Sequence, residues 1–183
     1  MPEKIILSTV SAWELGEKFE NTRNQKNEAL REAKIAKQDG DLSENAPYQA
    51  AKEKFRTMGR IERRLTGEMN HLIAQGHTVV DPVSWVTEGP AENVELGTIA
   101  EILLGDEKQV VLIAGARDHH IPEEGEVMPI PYNSPLGVAL LNHRAGNRFS
   151  ALLNGDLQTI LVVRVRRPTL PEILNVFPKL RES

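Results

Sequence analysis

The chain contains no cysteine and few aromatic residues, and these two shortages exclude several kinds of chemistry. None of its 183 residues is cysteine, and only 4% are Phe, Trp or Tyr. Without thiols the chain can form no disulfide, thiolate nucleophile or thiolate-ligated metal site. No apolar run approaches the ~18 residues that a membrane-spanning helix needs, and no signal peptide opens the chain. We therefore expect a cytoplasmic protein with no membrane partner.

The chain also has no excess of positive charge. The chain has 26 acidic and 22 basic residues, a formal charge of −4 and a pI near 5.8, so its whole surface is not that of a general nucleic-acid binder. Apolar residues make up 40% of the chain, enough for the core of one large domain or two small ones. No catalytic triad, phosphate-binding glycine loop or zinc spacing is recognisable. His119 and His120 lack a supporting carboxylate-histidine pattern, so we expect no metal there.

Two long helical patterns dominate the first part of the chain. Seam residues recur at intervals of three and four over residues 10–38 and again over residues 47–74, as in a coiled coil. At a rise of 1.5 Å per residue, two such arms predict an antiparallel hairpin about 40 Å long. Lys26 and Glu62 are the polar exceptions in this seam. Its members are Leu15, Phe19, Thr22, Lys26, Ala29, Ala33 and Ala36 in the first arm, and Ala51, Phe55, Met58, Glu62, Leu65, Met69 and Leu72 in the second.

The bend between the arms is acidic. Pro47 has no amide hydrogen and fits only the first turn of the second helix, which makes Asn45 the natural N-cap. In the alternative, Asp41 caps the helix and Glu44 reaches back to it, but Pro47 would then lie inside the helix at a cost of about 3 kcal/mol. We favour the Asn45 cap, which leaves Asp41 and Glu44 available to a ligand. Two carboxylates alone do not satisfy Mg²⁺, so a partner would supply the other ligands.

A basic stripe runs along the second arm. Lys52, Arg56, Arg60 and Arg63 are spaced by four, four and three residues, which places them on one helix face. Arg64 is an alternative to Arg63 as the last member. Such residues are also common on ordinary solvated surfaces. Next to an acidic bend, however, the stripe suits guidance of an RNA backbone towards metal-binding carboxylates.

The remaining residues predict a β-rich domain. Strand-like runs occupy residues 78–80, 97–104, 109–113, 148–153 and 157–166, and Asn154-Gly155 marks a hairpin turn. Ser134 is expected to cap a short helix that begins with Pro135. The whole chain is therefore predicted to be α+β, with a helical hairpin over residues 1–76 and an antiparallel sheet domain over residues 77–167. Residues 168–183 are a separate tail, either a flexible arm or a strip laid on the domain.

Two motifs resemble those of the bacterial GreA/GreB transcript-cleavage factors. Residues 40–53 (GDLSENAPYQAAKE) resemble the tip signature of this family, and residues 134–141 (SPLGVALL) resemble its C-terminal motif. The two motifs occur in the family's order, about ninety residues apart. The resemblance implies that the second domain is similar to FKBP-type peptidyl-prolyl isomerases in fold, and it does not imply their activity. It also implies a polymerase-docking role for Ser134, Pro135, Leu136 and Gly137.

The resemblance further implies a function that depends on RNA polymerase. The hairpin would enter the polymerase's secondary channel, with the second domain docked at the channel rim. Asp41 and Glu44 would help to hold Mg²⁺ jointly with the polymerase, which would cleave the 3′ end of backtracked nascent RNA. The chain would then be a monomeric activator and not an enzyme. Departures from the family pattern leave the fragment length and the rim contacts open; they are Pro47, Gln49, Asn142, Asn147 and residues 117–128.

Three other functions are compatible with parts of the sequence. A Gre-like inhibitor would occupy the channel without promoting cleavage, although the presence of both Asp41 and Glu44 favours cleavage. An FKBP-like folding helper with a coiled-coil arm would need an aromatic-lined pocket, whereas the second domain is poor in aromatics. A plain coiled-coil adaptor would give the bend no special importance.

Overall fold

The computed structural model describes residues 4–39, 45–87, 89–119 and 127–181. These residues form four α-helices and seven β-strands, and none of the helices in them is both long and apolar enough to cross a membrane. The helices are α1 (Thr9–Ala36), α2 (Ala46–Gln75), α3 (Pro135–Leu140) and α4 (Leu170–Val176). The strands are β1 (Ile5–Ser8), β2 (His77–Val80), β3 (Ile99–Leu104), β4 (Glu107–Ala114), β5 (Met128–Pro131), β6 (Arg148–Leu153) and β7 (Asp156–Arg166).

The chain divides into two compact units, and their limits differ from the predicted domains in two ways. The first unit contains residues 13–76, while residues 4–12 join residues 77 onwards in the second. Residues 168–181 also belong to the second unit and are not a separate tail. The fold class is confirmed, because a long helical hairpin precedes a β-sheet domain with short helices.

The first unit is an antiparallel pair of helices. Lys26 of α1 contacts Glu62 of α2, whereas Glu28 and Glu32, further along α1, contact Lys54, earlier in α2. Contact positions that rise along one helix and fall along the other define an antiparallel pair. All residues of the predicted seam are buried or partly buried, since the spacing of three and four residues turns these side chains to one side of each helix. The buried seam residues are Leu15, Thr22, Ala29 and Ala36 in α1, and Ala51, Leu65 and Leu72 in α2.

The N-terminus of α2 is capped as the sequence predicts. The Asn45 side-chain oxygen accepts a hydrogen bond from the Tyr48 amide at 2.9 Å, and Pro47 lies in the first turn. The Asn45 side-chain nitrogen also donates to the carbonyl oxygen of Ala36 at 2.6 Å. A single residue therefore completes the start of α2 and binds the last turn of α1.

The second unit is built on a five-stranded sheet of order β5-β4-β3-β7-β6. Strands β3, β4, β6 and β7 pair antiparallel as predicted, whereas β5 lies parallel to β4. Residues 115–127 are long enough for the crossover that a parallel pair requires. Strand β5 was not predicted because Pro129 and Pro131 are unfavourable in a strand; its place at the sheet edge allows them. Strands β1 and β2 form a separate parallel pair.

Alternate residues of the central strands pack on opposite faces of this sheet. Ile99 and Leu112 contribute to one cluster, which also contains Trp85, Ile173 and Phe177. On the other face, a second cluster contains Ala100, Ile102, Val111, Ile160 and Leu140, the last from α3. Phe177 is fully buried, and its ring meets that of Trp85 edge to face at 6.1 Å between centroids. Helix α4 and the residue after it are therefore part of the core.

A buried carboxylate joins the start of α1 to the loop after β4. Asp118 is 2% exposed and accepts hydrogen bonds from the Ser8 hydroxyl at 2.6 Å, from the Ser11 hydroxyl and from the Gly115 amide at 2.7 Å. Ser8 is also the N-cap of α1, since its hydroxyl oxygen accepts from the Ser11 amide at 3.0 Å. An added Cβ at Gly115 would lie 2.7 Å from the Ser8 nitrogen, so the close approach requires glycine.

A bidentate ion pair fixes the start of α4. Arg166 donates to both oxygens of Glu172, at 2.6 and 2.9 Å, and the Thr169 amide donates to the same carboxylate at 2.8 Å. The hydrogen bonds from Arg166 lower the pKa of Glu172 to about 2, and Thr169 contributes further to this shift.

This ion pair predicts a pH-dependent contribution to stability. Because the folded pKa of Glu172 lies below its unfolded value near 4.5, its contribution is present above pH 4.5 and is lost as the pH falls towards 2. We expect Glu172→Gln to lower the free energy of unfolding by about 1–2 kcal/mol at pH 7, and by clearly less at pH 3. Urea unfolding at both pH values measures the difference, with exposed Glu92→Gln as the control. An equal effect at both pH values would contradict the assignment.

Candidate functional site

The bend predicted to act in catalysis is framed by described residues, although Asp41 and Glu44 themselves lie outside them. A 3-10 turn at Lys37–Asp39 follows α1, and Asn45 opens α2. Their predicted metal role stays a prediction. In the described part of the chain, no group of three His, Asp or Glu residues is arranged to hold a metal ion. His119 is exposed, and His120 lies outside the described residues.

The predicted basic stripe lies on the surface of α2, but it is partly neutralised. Arg60 contacts the Glu53 carboxylate at 3.3 Å and donates to the Thr57 hydroxyl at 3.0 Å, while Arg56 lies 3.9 Å from the same carboxylate. Arg56, Arg60 and Glu53 are all more than 60% exposed, so these ion pairs are weak and open to competition by a ligand. The structure thus places the stripe where it can contact a polyanion.

The two other members of the stripe have different environments. The Lys52 ammonium lies 5.6 Å from the centroid of the Tyr48 ring, within range of a cation–π contact. The Arg63 guanidinium is exposed and donates to the carbonyl oxygen of Gly59 at 3.2 Å. Apart from its chain neighbours and the backbone of its own helix, no atom lies within 4 Å of the position that a Cβ at Gly59 would take, so the surface beside it is open.

An open depression of about 640 Å³ lies along this face of the hairpin. Four cations and two carboxylates line it, so its local charge is positive although the chain as a whole is acidic. Sequence reasoning did not include Lys26 or Phe55 in this surface, because both were assigned to the seam. The lining residues are Lys26, Glu53, Phe55, Arg56, Gly59, Arg60, Glu62 and Arg63.

Three of the four residues predicted to dock on a partner have evident structural tasks. The Ser134 hydroxyl accepts from the Gly137 amide at 3.1 Å and so caps α3 as predicted. Leu136 packs against the second core cluster, and a Cβ at Gly137 would lie 2.1 Å from the Pro131 carbonyl oxygen. Pro135 is exposed. The docking role of these residues stays a prediction.

Sequence reasoning missed one exposed apolar side chain beside them. Val138, in the same helix, is 61% exposed. It was not among the residues predicted to dock on a partner. The helical period offers the missing signal, since Gly137 and Leu140 share the buried side and Val138 points away from it.

Sequence comparisons assign the chain to a class of protein, the transcription elongation factors. The family model described as "Transcription elongation factor, N-terminal" matches residues 5–73, which include both arms. Transcription elongation factor GreA of a Nitratiruptor species is 30% identical over 155 residues, which cover 84% of this chain and 87% of that protein. GreA of Nautilia profundicola is 32% identical over 140 residues, covering 75% and 78%. The chain belongs to the GreA/GreB family.

Solved structures of this kind are also similar to the chain, at a lower level. GreA factor homolog 1 of Thermus thermophilus is 20% identical and covers 90% of this chain and 99% of its own, with a TM-score of 0.35. The family assignment depends on the sequence relatives and not on this superposition.

Proposed function

We propose that this elongation factor inserts its α1–α2 hairpin into the secondary channel of RNA polymerase and stimulates cleavage of the 3′ end of backtracked nascent RNA. The observation that carries the proposal is an antiparallel pair of helices of 28 and 30 residues, and the sequence that connects them contains Asp41 and Glu44. Helices of this length extend about 40 Å at 1.5 Å per residue, long enough to reach into a deep channel. The GreA relatives support polymerase as the partner.

The proposed role of Asp41 and Glu44 is to hold Mg²⁺ together with the polymerase. Carboxylate oxygens are the ligands that this hard cation prefers, and two of them leave room for further ligands from a partner. The bound ion would stabilise charge on the entering and leaving oxygens of a phosphodiester displacement. The catalytic centre then belongs to the polymerase, and this chain is an activator and not an enzyme on its own.

The other predicted surfaces take supporting roles. The basic stripe of Lys52, Arg56, Arg60 and Arg63 would guide the RNA 3′ end, since exposed guanidinium groups bind phosphates bidentately. Pro135 and Val138 are the exposed residues of α3 through which the second unit would contact the channel rim. We expect the factor to act as a monomer in the cytoplasm.

The test uses stalled, backtracked transcription complexes. The factor and Mg²⁺ are added, and the release of short 3′ RNA fragments is followed over time. A cleavage factor accelerates fragment release and restores elongation of arrested complexes. An inhibitor of the same channel slows both reactions. No effect on either reaction, together with catalysis of prolyl isomerisation in a peptide, would replace the proposal with a folding function.

The basic stripe gives the first functional prediction. Arg56→Gln with Arg60→Gln should slow cleavage of long backtracked ends roughly 3- to 10-fold, and the salt dependence of RNA binding should fall by about 0.7 in slope for each phosphate that is no longer neutralised. Glu53→Gln should have the opposite effect, because Glu53 neutralises both arginines. The measurement is the cleavage rate against salt concentration.

Arg23→Gln is the matched control, since Arg23 is an arginine of α1 with 58% exposure and a similar contact to Glu20. Equal effects at Arg23 and at the stripe would mean that only total charge matters. Unchanged cleavage for every RNA length would show that the stripe is an ordinary solvated surface.

A further inference from the structure

Two polar residues interrupt the seam of the hairpin, and the structure brings them together. The Lys26 ammonium contacts the Glu62 carboxylate at 2.5 Å, and the two side chains are only 29% and 20% exposed. The Lys26 nitrogen also lies 5.7 Å from the centroid of the Phe55 ring, which gives the ammonium a second partner. This pair is therefore more enclosed than two further ion pairs between the arms, which Lys54 makes with Glu28 and Glu32.

Stability is a poor explanation for such a pair. Replacing a buried ion pair with well-packed apolar residues is often neutral or stabilising, because both charges lose hydration. Separating the partners is costly, because each charge is then left without its counterion in a poorly hydrated place. A polar pair within an apolar seam thus penalises every alignment except the one in which its members meet.

The neighbouring seam residues explain why this hairpin needs such a device. Between Lys26 and the end of α1, the seam positions are Ala29, Ala33 and Ala36. Alanines present the same shape at each position. If α1 shifts along α2 by the three or four residues that separate seam positions, the packing of these alanines therefore changes little. The other end of this alanine segment is held by Asn45, whose side chain donates to the Ala36 carbonyl at 2.6 Å. Polar contacts therefore hold both ends of the alanine segment, where packing does least to fix the alignment of the two arms.

We propose that Lys26 and Glu62, with Asn45, are positioning residues that set the alignment of the two arms and thereby the place to which Asp41 and Glu44 are delivered. A slip of one heptad displaces one arm along the other by about 10 Å at 1.5 Å per residue. The bend carboxylates are joined to both arms, so they cannot keep their place when the arms slip. This inference rests on the proposed function of Asp41 and Glu44.

The test separates alignment from activity. Nitroxide labels are attached through cysteines introduced at Asn24 and Arg64, exposed positions on opposite arms in a chain that has no other cysteine. Electron paramagnetic resonance then gives the distance distribution in the full chain without polymerase. Cleavage stimulation is measured on the unlabelled variants in stalled complexes. The variants are Lys26→Leu with Glu62→Leu, the charge exchange Lys26→Glu with Glu62→Lys, and Lys54→Gln as the control.

We expect the leucine pair to keep or raise the melting temperature, to add a second distance population displaced by about 10 Å, and to lower stimulation at least fivefold. The charge exchange should retain a single distance population and at least half of the stimulation, and Lys54→Gln should behave like the unaltered chain. A single population with full stimulation in the leucine pair would overturn the proposal, and so would a second population without any fall in stimulation. If the unaltered chain stimulates no cleavage, the proposed function fails, and the distances still test the alignment.

Discussion

Asp41→Asn or Glu44→Gln should abolish stimulation of transcript cleavage while binding to RNA polymerase persists. Each substitution keeps the size of the side chain and removes the charge that would hold Mg²⁺. Removing an outer-shell partner of a metal site already costs 10- to 100-fold in affinity or activity, so removal of a ligand should lower the stimulated rate by about 100-fold or more. The measurement is the rate of 3′ fragment release at saturating factor, with polymerase binding followed separately by competition.

A control variant and a change of Mg²⁺ concentration test whether the defect comes from the loss of a metal ligand. Asp106→Asn changes an exposed carboxylate in the turn between β3 and β4 and should leave the stimulated rate unchanged. Raising the Mg²⁺ concentration should partly rescue Glu44→Gln if the defect lies in metal affinity. Undiminished cleavage by both bend variants would remove the proposed metal role, even if the hairpin still enters the polymerase.

Phe177→Ala should cause the largest decrease in stability in the second unit. The ring is fully buried in the cluster with Trp85 and Ile173. Truncating such a phenylalanine destabilises a protein by about 3–5 kcal/mol, because the favourable burial of the ring is lost and a cavity remains. A decrease of that size is a large part of the 5–15 kcal/mol that usually stabilises a domain. Chemical unfolding, followed by the fluorescence of buried Trp85, measures it.

Leu170→Ala, at the start of α4, provides the comparison, because Leu170 is 44% exposed and its truncation should cost less than about 1 kcal/mol. The contrast distinguishes a packed helix from a strip that is merely laid on the surface. If Phe177→Ala cost no more than Leu170→Ala, α4 would not be part of the core.

Local patterns in the sequence predicted the elements that depend on local physics. The alternating intervals of three and four residues predicted α1 and α2, and the restrictions on Pro47 predicted the Asn45 cap. The hairpin between β6 and β7 followed from Asn154-Gly155, and both residues have the positive φ that this turn requires. Each of these features is determined within a few residues.

Elements that depend on distant partners were missed. Helix α4 has only seven residues, too few for a clear period, although Thr169 and Glu172 form a capping box that could have indicated its start. Strand β5 contains two prolines and is allowed only because it ends the sheet beside β4. The contacts of Asp118 reach residues more than 100 positions away, beyond any periodic signal.

The candidate site was predictable in its parts but not in their arrangement. The polar character of Lys26 and Glu62 was visible in the sequence, whereas their meeting depends on the alignment of the arms. The spacing of Arg56 and Arg60 placed them on one face, but did not reveal that the Glu53 carboxylate lies within 4 Å of both and lowers their net charge.

The contacts of Asp118 also impose an order of events during protein synthesis. Ser8 and Ser11 are synthesised before Asp118, which follows them by 110 and 107 residues. At about 5–20 residues per second, the ribosome needs roughly 2–8 s to extend the nascent chain from Gly76 to Asp118. The two helices are thus complete, and β1 can pair with β2, while the Ser8 and Ser11 hydroxyls still lack the Asp118 carboxylate. We therefore expect changes at residues 8–11 to disturb the folding of the second unit.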